Sequence, residues 1–73
     1  MRSLEDIANA NNGLAKCYHD IGQTEKSIEI YNLALKQYER IDDTKGRASI
    51  HANLGMLYLD EKEYKLAENN ILM

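Results

Sequence analysis

The chain has 73 residues, a formal net charge of −3 and a single cysteine, with no proline, tryptophan or phenylalanine. That length allows one small domain, and one thiol excludes an internal disulfide. The acidic balance, with Arg2, Lys16, Lys26, Lys36, Arg40, Lys45, Arg47, Lys62 and Lys65 scattered along the chain, excludes the clustered basic face that nucleic acid requires.

The first apolar stripe is Leu4, Ile7, Ala8, Leu14, Ala15, Tyr18 and Ile21, spaced by three, four or seven where it is regular, which is the helical period. Ser3 is placed to cap this helix, with Asp6 three residues on. Gly22 closes it, because a left-handed end residue is cheapest without a Cβ. Asn9, Asn11, Asn12 and Gly13 are poor helix formers, so the helix depends on packing. Thr24 is the next N-cap candidate, followed by Glu25 in the favourable first turn. A second stripe runs through Ile28, Tyr31, Ala34, Leu35, Tyr38 and Ile41, widened by Ile30 and Leu33, and predicts a helix over residues 25–42.

Asp42-Asp43-Thr44-Lys45-Gly46 breaks the pattern. Asp43 or Thr44 would cap a third helix carrying Ala48, His51, Leu54, Gly55 and Tyr58 inward. Asp60-Glu61-Lys62-Glu63 is the last break, marked only by a lapse of the stripe. The Glu61–Lys65 pair, four apart in the stabilising orientation, supports an unbroken helix equally well. Tyr64, Ala67 and Ile71, with Leu66 and Leu72 alongside, make the fourth helical segment. No strand-like alternation occurs, no apolar run approaches the roughly 20 residues of a membrane span, and Met1-Arg2-Ser3 leads into Leu4-Glu5-Asp6 rather than a secretory core. The expected fold is all-α: two antiparallel helix-turn-helix units in a single domain, 4–42 and a shortened 44–73. A plain antiparallel four-helix bundle is the competing architecture.

Shifted by 40 residues, the chain matches itself: Ala8 falls on Ala48, Leu14 on Leu54, Tyr18 on Tyr58 and Asp20 on Asp60. Ala15 falls on Gly55, Ser27 on Ala67 and Tyr31 on Ile71. Small residues at Ala15, Ser27, Gly55 and Ala67 let paired helices approach, while Leu and Tyr fill the space beside them. This order resembles the tetratricopeptide repeat, W-x2-L-G-x2-Y, then A-x3-F, then P, on a period of about 34 residues. Leu54-Gly55, Tyr58, Ala67 and Ile71 follow it closely; Leu14-Ala15, Tyr18, Ser27 and Tyr31 more loosely. The resemblance spans essentially the whole chain. It departs in three ways: Asn11 and His51 stand at the Trp position, Glu39 at the Pro position, and the period is longer. The long period and the stretch Tyr38-Glu39-Arg40-Ile41-Asp42-Asp43-Thr44-Lys45-Gly46-Arg47-Ala48, followed by Ala52-Asn53-Leu54-Gly55-Met56-Leu57-Tyr58, are similar to the variety found in bacterial regulators, kinesin light chains and G-protein-signalling modulators.

The resemblance implies an α-solenoid fragment of about two repeats whose first helices line a peptide-binding concave face. The matching positions are Asn9, Asn12, Lys16 and His19, with Gly13 and Asp20, then Ser49, Asn53, Met56 and Leu59, with Ala52 and Asp60. Asn side chains suit backbone recognition, and Met56 with Leu59 offers an adaptable apolar patch; ordinary exposed residues of a short helix pair would look the same. The carboxylate-gripping clamp of some family members is not matched, because Met56 stands where a second Asn belongs.

Catalytic readings fare worse. His51 falls on the inner stripe and reads as a packed histidine; His19 reads as solvated. Cys17 reads as a small buried thiol, and Asp60, Glu61 and Glu63 as a solvated turn lacking a calcium loop's glycine and spacing. Two histidines and one cysteine fall short of a structural zinc set. No Gly-rich phosphate loop, nucleophile elbow or carboxylate pair is present. The expectation is a non-enzymatic protein with no catalytic residue, metal or cofactor. Its partner is a protein or peptide, with no nucleic acid and no membrane, and its setting is the cytoplasm. The alternative is a purely architectural oligomerisation or array segment of a regulator.

Domains below roughly 70–80 residues usually recruit a disulfide, a metal or a partner chain, and here partner association is what remains. Ile71, Leu72 and Met73 finish the sequence without a C-cap. The expectation is a piece of a longer array or a twofold homodimer joined through the second repeat, with domain exchange if residues 60–63 straighten.

Overall fold

The computed structural model describes residues 3–72, with the side chains of 64 and 66–72 falling outside the description. Three helices pack in sequence order: α1 (Leu4–Asp20), α2 (Thr24–Arg40) and α3 (Thr44–Leu72). Neighbours in the chain run antiparallel, so α1 and α3 run parallel on the same side of α2. Local chemistry sets the first two turns. Ser3 Oγ accepts the Asp6 amide at 3.1 Å and starts α1. Gly22, at φ +84°, ends it, letting the Gln23 amide reach the Tyr18 carbonyl at 2.9 Å. The next reversal has the same design, with Asp42 at φ 58° and the Asp43 amide on the Tyr38 carbonyl at 2.9 Å. Asp43 also accepts the Gly46 amide at 3.0 Å and so caps α3. α2 starts at Thr24 after Gln23, which makes no side-chain cap bond; Thr24 is therefore the first helical residue and not the cap.

Four helical segments are expected from the pattern, and here the structure differs. α3 is continuous over 29 residues, so the expected turn at Asp60-Glu61-Lys62-Glu63 is helix. The left-handed residues of the first two turns stand twenty apart, at Gly22 and Asp42. The next place in that series is Lys62. Glycine enters the left-handed region freely and Asp does so with a local hydrogen bond, whereas Lys has neither advantage. Glu61 and Lys65 add their helix-stabilising spacing.

The core is formed by Ala8 and Ala15 of α1, Tyr31, Ala34 and Tyr38 of α2, and Ile50 and Leu57 of α3, all essentially without exposure. Ile28, Ile30, Leu35, Ile41 and Leu54 pack against it half-buried. Small residues bring α1 and α2 together as the repeat pattern requires: Ser27 Oγ donates to the Ala15 carbonyl at 2.6 Å across the buried seam. At the α2–α3 corner Gly46 is indispensable. A Cβ there would lie inside the Tyr38 ring, 2.6 Å from Cγ.

The register of α3 corrects the sequence reading. It meets α2 along Gly46, Ile50, Leu54 and Leu57, not along Ala48, His51, Gly55 and Tyr58, all of which are exposed. The latter stripe is turned away around the helix, and a straight α3 brings no returning helix back over it. Leu14 is also exposed, aligned with exposed Ile7 and Ile21 at seven-residue intervals on the outer shoulder of α1, where no described element packs. Cys17 lies on the surface, not in the core. The packing roles expected of Ala67 and Ile71 fall on side chains outside the description. The molecule measures 53 × 20 × 12 Å, and among the described residues no helix is long and apolar enough to cross a membrane.

Candidate concave face of the helical repeat

The face shared by α1 and α3 is sewn by polar side chains. Asn12 Nδ2 donates to Ser49 Oγ at 3.0 Å, and Asn12 Oδ1 accepts from Asn53 Nδ2 at 2.9 Å. One α1 amide therefore bridges two successive turns of α3. Further along, His19 Nε2 lies 3.0 Å from Asp60 Oδ2. The ladder is rooted in α2 as well: Tyr38 donates its hydroxyl to Asn9 Oδ1, and Asn11 Nδ2 donates to Gln37 Oε1 at 3.0 Å. Asparagine costs α1 helix propensity, and here that cost is set against hydrogen bonds no aliphatic residue could make.

Five of the eight predicted groove residues, Asn9, Asn12, His19, Ser49 and Asn53, are thus joined to each other or to neighbouring helices. The histidine is not solvated as its position off the stripe suggested: its side chain is only 17% exposed and holds Asp60. The other three, Lys16, Met56 and Leu59, are exposed. Helical spacing puts Met56 and Leu59 on the same side of α3 as Ser49 and Asn53, so an apolar patch flanks the amide ladder. Beyond His19 the face opens into a cleft of about 550 Å³ lined by His19, Asp20, Gly22, Thr24, Leu57, Asp60 and Glu61. Asn11, Gln37 and Thr24 are not singled out as face residues by the sequence. The signal for Asn11 is its place at the Trp position of the repeat, where a large apolar side chain would have filled the space that the amide pair with Gln37 occupies.

Two buried phenols adjoin this face. Burial raises the Tyr31 phenol above the usual tyrosine range, with Asp20 and Cys17 nearby adding to the effect. Burial likewise raises Tyr38, against the lowering effect of a neighbouring amide and with Asp43 and Glu5 adding negative charge. Tyr31 Oη is buried without a hydrogen-bond partner among the described residues. Nearby, the Lys26 ammonium sits 5.1 Å from the centre of the Tyr18 ring, a cation–π distance. No three His, Cys, Asp or Glu side chains among the described residues stand close enough to hold a metal ion together.

Antiparallel α-hairpins, small residues at the α1–α2 seam, and first helices aligned in parallel along one face define a helical-repeat scaffold. The tetratricopeptide repeat family model matches residues 6–71, and the chain belongs to that family. No curated protein and no solved structure matches it.

Proposed function

We propose that this chain is a non-catalytic protein-interaction module that holds a peptide or helix of a partner protein along the α1–α3 face. The observation carrying this reading is the pairing of a fixed amide ladder with exposed Met56 and Leu59, 57% and 49% accessible. Hydrogen bonds within the ladder lock the two helices at one separation, so the apolar patch beside it is preorganised. A flexible thioether and a leucine suit an amphipathic helix. The long period and the Tyr38–Thr44 stretch support a place in a larger regulatory array. A cytoplasmic setting, in which Cys17 stays a free thiol, goes with it.

The test is selection of helix-forming peptides from a displayed library against the chain, followed by titration of the selected peptide against Met56→Glu, Leu59→Glu and Leu33→Glu. The first two should weaken binding by about tenfold or more, equivalent to about 1.4 kcal/mol, and Leu33→Glu, an exposed site on α2, should not. Binding indifferent to the α3 substitutions would remove the proposal. The second reading, an architectural oligomerisation segment, is favoured by one feature: the chain exposes 5502 Å², against about 4600 Å² for a compact monomer of its mass.

A further inference from the structure

We infer that the occupant of the α3 face is the α3 helix of a second copy, paired antiparallel about a twofold axis between Leu57 and Tyr58. The inference deepens the module reading, on which it rests, by naming the partner.

The first support is area. The excess exposure of about 900 Å² over a compact monomer matches the roughly 800 Å² that each partner contributes to a standard interface. The radius of gyration points the same way, at 14.2 Å where a compact chain of this length has about 11 Å.

The second support is spacing. Along α3 the residues Ala52, Met56, Leu59, Glu63 and Leu66 recur at alternating steps of four and three, the interval that keeps one stripe facing a neighbouring helix. The straightness of α3 is what makes this stripe continuous; a turn at Lys62 would have cut it. Met56 and Leu59 are its exposed apolar centre. In an antiparallel pairing about the stated axis, Met56 of each chain meets Leu59 of the partner subunit, twice by symmetry. Small Ala52 then faces the longer Glu63 of the partner subunit, so a short side chain meets a long one on each side of the central pair.

The third support is charge. The positions flanking the seam are Asn53 and Asp60 on one side, Gly55 and Lys62 on the other. Antiparallel pairing sets Asn53 beside the partner's Asp60 and Gly55 beside the partner's Lys62, so no like charges are opposed. Gly55 has open space around it, leaving room for the lysine stem to lie across the helix. The other exposed stripe, with Arg47, His51, Tyr58 and Lys65, is predominantly cationic and pairs poorly with itself.

The experiment uses the chain with Cys17→Ser, so that added thiols are unique. Single cysteines replace Met56 or Tyr58, both more than half exposed but on different sides of α3. A short bis-maleimide should join Met56→Cys chains into a covalent dimer and leave Tyr58→Cys chains as monomers on a denaturing gel. Sedimentation equilibrium should show the parent chain as a dimer, and Leu59→Glu should raise its dissociation constant by about tenfold or more. Cross-linking through Tyr58→Cys in preference to Met56→Cys overturns the inference. So does a parent chain that remains monomeric; if that monomer still binds a selected helix through Met56 and Leu59, the self-pairing falls and the module reading stands. A monomer that binds nothing on this face removes both.

Discussion

Gly46→Ala tests the packing from which the whole α3 position follows. In a helix interior, alanine normally exceeds glycine by about 1 kcal/mol. At this position the new methyl would enter the Tyr38 ring, 2.6 Å from Cγ, and that ring is 1% exposed with its hydroxyl tied to Asn9. It has nowhere to go without moving α3 off α2. Overpacking of this kind costs about 1–3 kcal/mol, and a displaced hydroxyl adds about 1 kcal/mol for its lost hydrogen bond. After the helix gain, the net expected loss is about 1–3 kcal/mol. For a chain with roughly 4–10 kcal/mol of stability in all, the urea midpoint should fall, by about a quarter at the middle of both ranges. Gly13→Ala is the control: a Cβ there meets nothing within 4 Å, and about 0.5–1 kcal/mol should be gained. Urea titrations followed by far-UV circular dichroism, at one chain concentration so that association does not enter, measure both. A Gly46→Ala midpoint equal to or above that of Gly13→Ala would refute the Tyr38–Gly46 contact and the α3 register built on it.

Tyr31→Phe should stabilise the chain by about 1–2 kcal/mol, because it removes a buried hydroxyl that has no partner among the described residues while keeping the ring; a lower melting temperature would show that the hydroxyl has a partner after all. The raised Tyr31 and Tyr38 phenols set a high-pH limit. A folded-state value above the unfolded one near 10 means the folded chain holds its protons longer. That stability is fully present below about pH 10 and lost as pH climbs through the folded-state values, and Tyr31→Phe should flatten the loss seen in alkaline melts. Asn12→Ala severs both ladder bonds, to Ser49 and from Asn53. It should cost about 1–2 kcal/mol and speed hydrogen exchange in the first half of α3 more than in α2; uniform exchange across the helices would deny the ladder a positioning role.

The first two helices and their turns are legible in the sequence because each is governed by local rules. Ser3, Gly22 and Asp43 act within three or four residues of themselves, and the Ala15–Ser27 approach follows from small residues at fixed repeat offsets. The register of α3 is less so. Ile50 and Leu57 are buried by α2, a contact between consecutive hairpins, whereas Gly55 and Tyr58 carry the pattern of contact within a hairpin. Pattern matching finds the second set and has no local signal for the first. The straight run through residues 60–63 was open on sequence grounds, since the lapse of the stripe and the Glu61–Lys65 pair argued opposite ways. Lys62 in the place where Gly22 and Asp42 take left-handed backbone is the feature that separates them. On the face itself, the residue types were visible, but not that amide and hydroxyl groups would be engaged with one another; that depends on α1 and α3 being parallel neighbours, which only the packed fold decides.

The polar α1–α3 seam and the apolar stripe beside it solve different problems. An aliphatic seam at Asn9, Asn12, Ser49 and Asn53 would bury more apolar surface, but Leu against Leu tolerates sliding by a turn, whereas an amide bridging Ser49 and Asn53 does not. The ladder therefore specifies one axial offset of α3 against α1 at modest net stabilisation. With the offset set, the exposed Met56 and Leu59 stand at a defined height along α1. The stabilisation the ladder forgoes is what covering the patch would restore: at about 25 cal/mol per Å² of apolar area, burying half of the excess of about 900 Å², a little over half of it apolar, is worth about 6 kcal/mol before the cost of association.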